Sequence, residues 1–185
     1  MIHASFNFRS LTGCERGGVL VELALAVPVL MLVLTGGFEV SRYGVLHLKL
    51  EGVAGTLSDA VARMGEARAA EVDAILAAAD DIASPFDFTR QGAAIVTSVS
   101  WDGPGRAKVN WQRKIGSVSA GSGLGKAGGA ATLPAGFTLA QDESAIITEA
   151  VYDYRPLFAT ALLPQRTLRQ TAVFRPRLGN LDTLQ

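Results

Sequence analysis

GVLVELALAVPVLMLVLTGGF, Gly18 to Phe38, is the stretch on which the reading of this chain turns. It carries one charged residue, Glu22, among leucines, valines and alanines. A helix of about 20 residues is about 30 Å long, the thickness of a bilayer's hydrocarbon core. A buried helix of a soluble domain would normally keep a polar stripe or be shorter, so the run predicts a transmembrane helix. Pro28 lies inside it. Proline costs a soluble helix about 3 kcal/mol, whereas membrane helices tolerate it and commonly kink there. Arg9 and Arg16 precede the run, which places the N-terminus in the cytoplasm by the positive-inside tendency; Arg42 and Lys49 beyond it make the asymmetry modest.

Downstream the apolar residues continue at steps of three and four: Tyr43, Leu46, Leu50, Val53, Leu57, Val61 and Met64. Lys49, Glu51, Ser58, Asp59 and Arg63 take the other faces, so an amphipathic helix leaves the bilayer with one stripe for a core or a partner. Gly52 and Gly55 weaken it locally. A second helical pattern over about Glu66 to Ala83 ends at Ser84-Pro85, because proline cannot continue the ladder. Beyond Pro85 the period falls to two. Ile95, Thr97, Val99 and Trp101 alternate with Val96, Ser98 and Ser100, and Ala107, Val109 and Trp111 resume the alternation after Asp102-Gly103-Pro104-Gly105. This predicts a β-hairpin with Trp101 and Trp111 as a cross-strand pair. Gly116 to Gly136, rich in Gly, Ser and Ala, reads as a long flexible loop. Strands around Ser144 to Tyr154 and Thr167 to Phe174 complete an antiparallel sheet of about four strands. The fold class is α+β: a long N-terminal transmembrane and amphipathic helix, a short second helix, then the sheet. The boundaries are 18–38 for the span, 39–84 for the amphipathic helical stalk and 85–185 for the β domain.

Composition narrows the function. The 185 residues are 49% apolar and 18% charged, and 17 basic residues balance 17 acidic ones, so no overall field draws nucleic acid or an acidic substrate. One cysteine, Cys14, and two histidines, His3 and His47, do not make a zinc site or an internal disulfide. Asp80-Asp81 and Asp142-Glu143 are paired acids without a nucleophile, base or ligand set. Alternating Tyr152 and Tyr154 read as strand packing, and arginines 155, 166, 169, 175 and 177 as the solvated face of a strand. Neither an enzyme nor a cofactor is expected, and no small-molecule substrate.

The chemistry sits in Arg16-Gly17-Gly18-Val19-Leu20-Val21-Glu22. A carboxylate inside a membrane helix costs about 2.5–3.5 kcal/mol unless it is paired, which makes Glu22 a functional candidate. Cleavage between Gly17 and Gly18 would give Gly18 a new α-amino group and leave residues 1–17 as a leader peptide. Glu22, one helical turn further in, would pair with the positive N-terminus of a neighbouring subunit and set the axial register between them. Gly17 offers an unhindered, extendable backbone to a peptidase. The plainer alternative makes Glu22 a helix-start residue stabilised by the helix dipole. Leu11-Thr12-Gly13-Cys14 matches a lipobox in letters, but its apolar stretch follows the cysteine instead of preceding it. Thr35-Gly36-Gly37 fits an ordinary secretory cleavage site only loosely.

Gly17 followed by Glu22 and an apolar helix resembles the signal of type IV prepilins. The string RGGVLVELALAVPVLMLVLTGGFEVSRYGVL, Arg16 to Leu46, resembles the TadE-like family of tight-adherence (Tad, or Flp-type) pilus systems, with Pro28 in the run and Glu39 and Arg42 at its exit. The string Glu149 to Arg177 resembles the end of such pilus assembly proteins. Gly18 and Leu23 stand where pilins often have aromatics, and the chain is longer than the small major pilins, which points to a minor pilin (pseudopilin). The resemblance implies a pilin-like fold, cleavage after Gly17 by a prepilin peptidase, and the inner membrane and other pilins of a Tad-type system as partners. It places the C-terminal domain in the periplasm or, after incorporation, in an extracellular adhesive pilus. An uncleaved, membrane-anchored periplasmic assembly or adaptor protein is the alternative.

Overall fold

The computed structural model describes residues 15–158 and 164–185, so Arg9, the Leu11–Cys14 string, His3 and most of the leader lie outside the described residues. A single helix, α1 (Glu15–Ala62), carries the chain from the apolar run into the globular body without interruption, Pro28 included. It stops where Arg63, Met64 and Gly65 tighten the last turn, Met64 N–H bonding to the Val61 carbonyl at 3.0 Å. The second helical pattern forms two pieces, α2 (Ala69–Ala77) and α3 (Ala79–Ala83). Ala78 donates back to Ile75 at 3.1 Å, a tightened turn that redirects the axis so that Asp80 can accept the N–H of Thr89 at 3.0 Å. A one-turn helix, α4 (Phe88–Gln91), is capped by Asp87, which accepts the N–H of Arg90 at 3.1 Å.

Four strands follow: β1 (Gly92–Trp101), β2 (Ala107–Gly116), β3 (Ser144–Tyr154) and β4 (Arg166–Phe174). They form one antiparallel sheet in the order β2-β1-β3-β4. The α+β architecture read from the sequence is the one observed. α1 lies across β3 and β4. Leu46, Leu50, Val53, Leu57 and Val61 are fully or almost fully buried against Ala94, Val96, Ile146, Ala150, Tyr152 and Tyr154. Ser58 spends its hydroxyl on the Ile146 carbonyl at 3.0 Å, so the one polar group in this stripe is satisfied.

Two expectations about the sheet are corrected. Trp101 and Trp111 do not pair: Trp101 lies opposite Ala107 and Trp111 opposite Ser98. Asn110 is the extra residue of a bulge, and an extra residue reverses the phase of the alternation. Val109 therefore faces the outer layer with Val99, while Trp111 turns to the α1 side and donates its indole N–H to Leu181 at 2.7 Å. The stretch Gly116 to Gly136 is not an open loop. With the residues up to Leu139 it covers the outer face, where Leu124, Leu133, Phe137 and Leu139 pack on Val99, Val109, Ala145 and Ile147. Backbone bonds from Val109 to Gly129 and from Ala131 to Ala107 also close the β2 edge. Buried Glu149 ties this layer down, accepting from Ser122, from the Gly123 N–H at 3.0 Å and from Arg169. At Gly116, φ is +96° and an added Cβ would lie 2.3 Å from the Gly92 carbonyl oxygen, so the turn out of β2 requires glycine.

Candidate functional site

Helix α1 and β3 run antiparallel, and their contacts give the body an orientation. Ser58 meets Ile146 at one end, and Glu39 meets Tyr154 at the other. N-terminal to Glu39 the helix leaves the body as a stem. Leu25 is 70% and Leu34 66% exposed, and the stem's most apolar window, of mean hydropathy 2.4, has none of its residues buried. Within the described residues this is the one helix long and apolar enough to cross a membrane, and it is compatible with a single-pass anchor. Its one hydroxyl, that of Thr35, bonds back to the Met31 carbonyl at 2.7 Å, and just past Glu39 the Ser41 hydroxyl does the same to Gly37 at 2.9 Å. That removes the cost of an unpaired hydroxyl in hydrocarbon.

The residues singled out in the sequence lie on this stem. Gly17 and Gly18 belong to the first turn of α1, where backbone N–H groups have no helical partner and glycine lowers helix stability. Gly18 and Glu22 are exposed. An added Cβ at Gly37 or Gly44 would meet nothing within 4 Å, so these faces are open to another helix and pack on none in this chain. Neither Gly18 nor Glu22 lines the cavity described below.

At the base of the stem the chain builds a collar that the sequence marked only as a polar exit. Glu39 is completely buried, and both carboxylate oxygens are used. Oε1 accepts from the Tyr154 hydroxyl and from Arg42 Nη1 at 3.4 Å; Oε2 accepts from the N–H groups of Leu157 at 2.9 Å and Phe158 at 3.1 Å. Burial alone would raise the carboxyl's pKa, but the bonds from Tyr154, Phe158 and Leu157, with the Arg42 charge, outweigh it and hold Glu39 below the usual carboxylate value. Burial first, and the Glu39 bond second, push the Tyr154 phenol up to about 12. Arg42 also donates to the Arg155 carbonyl at 3.2 Å and lies 5.4 Å from the ring centres of both Phe86 and Tyr154. The signal available in the sequence was Glu39 with Arg42 three residues on, at the first charged positions after the apolar run.

Other candidates resolve into packing. Tyr152 and Tyr154 are buried in the core under α1. His47 lies against the Tyr43 ring and 3.1 Å from Gln170. The C-terminal arginines 155, 166, 169, 175 and 177 are all exposed, and three of them make ion pairs: Arg169 with Glu149, Arg175 with Glu143 and Arg177 with Asp59. A cavity of about 510 Å³ opens beside the collar between Phe38, Arg42 and Val45 of α1 and Phe86, Gln91 and Tyr152. Its lining combines aromatic and aliphatic side chains with polar groups already committed elsewhere: Arg42 to Glu39, the Ser41 hydroxyl to the Gly37 carbonyl, and Asp87 to the N–H of Arg90. Among the described residues, no cluster of three or more His, Cys, Asp or Glu could hold a metal ion.

Comparison with known families matches residues 17–56 to the family described as "TadE-like protein". No curated protein and no solved structure matches the chain. The matched segment starts at Gly17, takes in the whole stem and the Glu39–Arg42 pair, and ends in the buried part of α1; the string Glu149 to Arg177 lies outside it. Residues 17–56 are thus a TadE-like segment, consistent with a protein of Tad pilus systems.

Proposed function

We propose that this chain is a minor pilin (pseudopilin) that takes part in assembling a Tad-type adhesive pilus and is not an enzyme. The observation that carries the reading is the bare stem. Its apolar side chains are exposed on every side, which a protein in water does not tolerate over such an area, so they require lipid or other helices as partners. α1 inserts with its N-terminus in the cytoplasm and its globular body in the periplasm. A prepilin peptidase cuts after Gly17, where the glycine pair makes the first turn of the helix easy to open. The stem then passes from the inner membrane to packing against stems of other pilins, and Glu22 pairs with the freed amino group of a neighbour and sets the register.

Mass spectrometry of the mature N-terminus tests cleavage. A chain beginning at Gly18, and found uncut in cells lacking the peptidase, is the expected result; an intact Met1 in a protein confined to the inner membrane would favour the uncleaved adaptor. Glu22→Ala is expected to insert normally and abolish piliation, and normal pili from that variant would remove the register role.

A further inference from the structure

The collar holds apolar side chains in the open. Leu157 and Phe158, in the turn after β3, are 59% and 64% exposed, beside Phe38 at 52% and Val40 at 60%. The backbone of this turn is fixed, because the N–H groups of Leu157 and Phe158 both bond to the buried Glu39 carboxylate. The Phe158 ring meets the Phe38 ring edge-on, with centres 5.9 Å apart. The turn therefore stands at the height on α1 where the apolar run ends. Its surface is continuous with that of the stem, since the charge between them, Glu39, is buried beneath it. Around the same level lie Tyr43, whose hydroxyl accepts from Arg166 at 2.9 Å, and exposed Arg155. Aromatic and basic side chains at one height, next to an apolar span, are the composition of a membrane–water interface.

We propose that Leu157 and Phe158 dip into the bilayer surface at the leaflet where α1 emerges, seating the globular body on the lipid. This rests on the reading of α1 as a membrane anchor. A helix of about 20 residues fills the hydrocarbon core, so the lipid boundary falls at Phe38, and whatever touches Phe38 from the side shares that boundary. The lipid is favoured over a second copy of the chain because the patch continues the surface that the bilayer itself covers.

The test uses the full chain, with Cys14→Ser, in vesicles of phosphatidylcholine and phosphatidylglycerol. Single nitroxide labels are placed through Leu157→Cys, Phe158→Cys, Val29→Cys in the middle of the stem, and Lys108→Cys at the far end of the sheet. The collar bonds come from the backbone, so the label sites leave them in place. Collision with oxygen is compared with collision with a water-soluble nickel chelate. The expected oxygen-to-nickel ratio is highest at 29, severalfold above the 108 value at 157 and 158, and lowest at 108. A lipid-like ratio at 29 with values at 157 and 158 equal to that at 108 overturns the proposal and leaves the anchor standing. A water-like ratio at 29 sinks the anchor reading instead. Labels at 157 and 158 shielded from both probes and broadened by spin–spin contact would mean that a second copy covers the turn, which also overturns it.

Discussion

The two ends of α1 are built from the same residues and reach opposite outcomes. Gly18–Phe38 and Leu46–Ala62 are both rich in leucine, valine and alanine, and they belong to one unbroken helix. The first buries nothing in its own chain; the second buries Leu46, Leu50, Val53, Leu57 and Val61 along one stripe. What separates them is where polar residues are admitted. Lys49, Glu51 and Asp59 interrupt the second half on the faces away from the sheet, leaving one apolar stripe that a sheet can cover. The first half admits only Glu22 and Thr35, whose hydroxyl bonds back to the helix, and so has no face that prefers water. Apolar content alone does not decide whether a helix joins a core or leaves it.

The comparison breaks most sharply at its buried end. Leu50→Ala should destabilise the body by about 2–5 kcal/mol, the cost of an emptied leucine site, read as a lower midpoint in denaturant unfolding in micelles followed by tryptophan fluorescence. At the junction, Glu39→Gln should cost about 2 kcal/mol, since the charge-assisted bonds to Tyr154, Leu157 and Phe158 weaken and an amide N–H₂ faces backbone donors. It should also flatten the pH profile. Glu39 has a lowered folded-state pKa, so its contribution is complete above its ordinary 4.5 and is lost as the pH falls below that. Tyr154 has a raised one, so its contribution is complete below pH 10 and fades as the pH climbs towards about 12. The Gln variant should lose most of the acid limb but keep part of the alkaline one, because burial is the larger cause of the Tyr154 shift. The smallest effect belongs to the stem: Leu30→Ala, at a side chain 58% exposed, should move the same unfolding midpoint by less than about 0.5 kcal/mol. A Leu30→Ala loss as large as that of Leu50→Ala would mean that the stem folds back on the body.

Periodicity made most of the fold legible. The steps of three and four from Tyr43 to Val61 named the buried stripe, and the change to a period of two after Pro85 located all four strands. The bulge at Asn110 was not legible, because a bulge is one unpaired residue and leaves the apolar pattern of Val109 and Trp111 looking regular. The covering layer was missed for a different reason: its Gly- and Ser-rich composition reads as mobile, while its few anchors, Leu124, Leu133, Phe137 and Leu139, are too widely spaced to form a period. β1 carried a usable sign, since Ala93 to Val99 is buried on both faces and apolar or small at almost every position, the pattern of a strand covered on two sides. Gly17, Gly18 and Glu22 are candidates on their spacing to the apolar run alone, and among the described residues the fold adds no partner contact to that reading. The collar could not be read from spacing, because the partners of Glu39 come from residues 154 to 158, and only folding brings them there.

The unbroken path of α1 through the collar has a mechanical consequence. A force along the stem reaches the body through a beam clamped at its base, with no hinge in which to dissipate it. Because α1 lies along β3 in the opposite direction, that load slides one element past the other and stretches all their contacts in parallel, from Glu39–Tyr154 to Ser58–Ile146. Such a joint yields only when every contact yields together, whereas a joint loaded at one end would peel open a contact at a time.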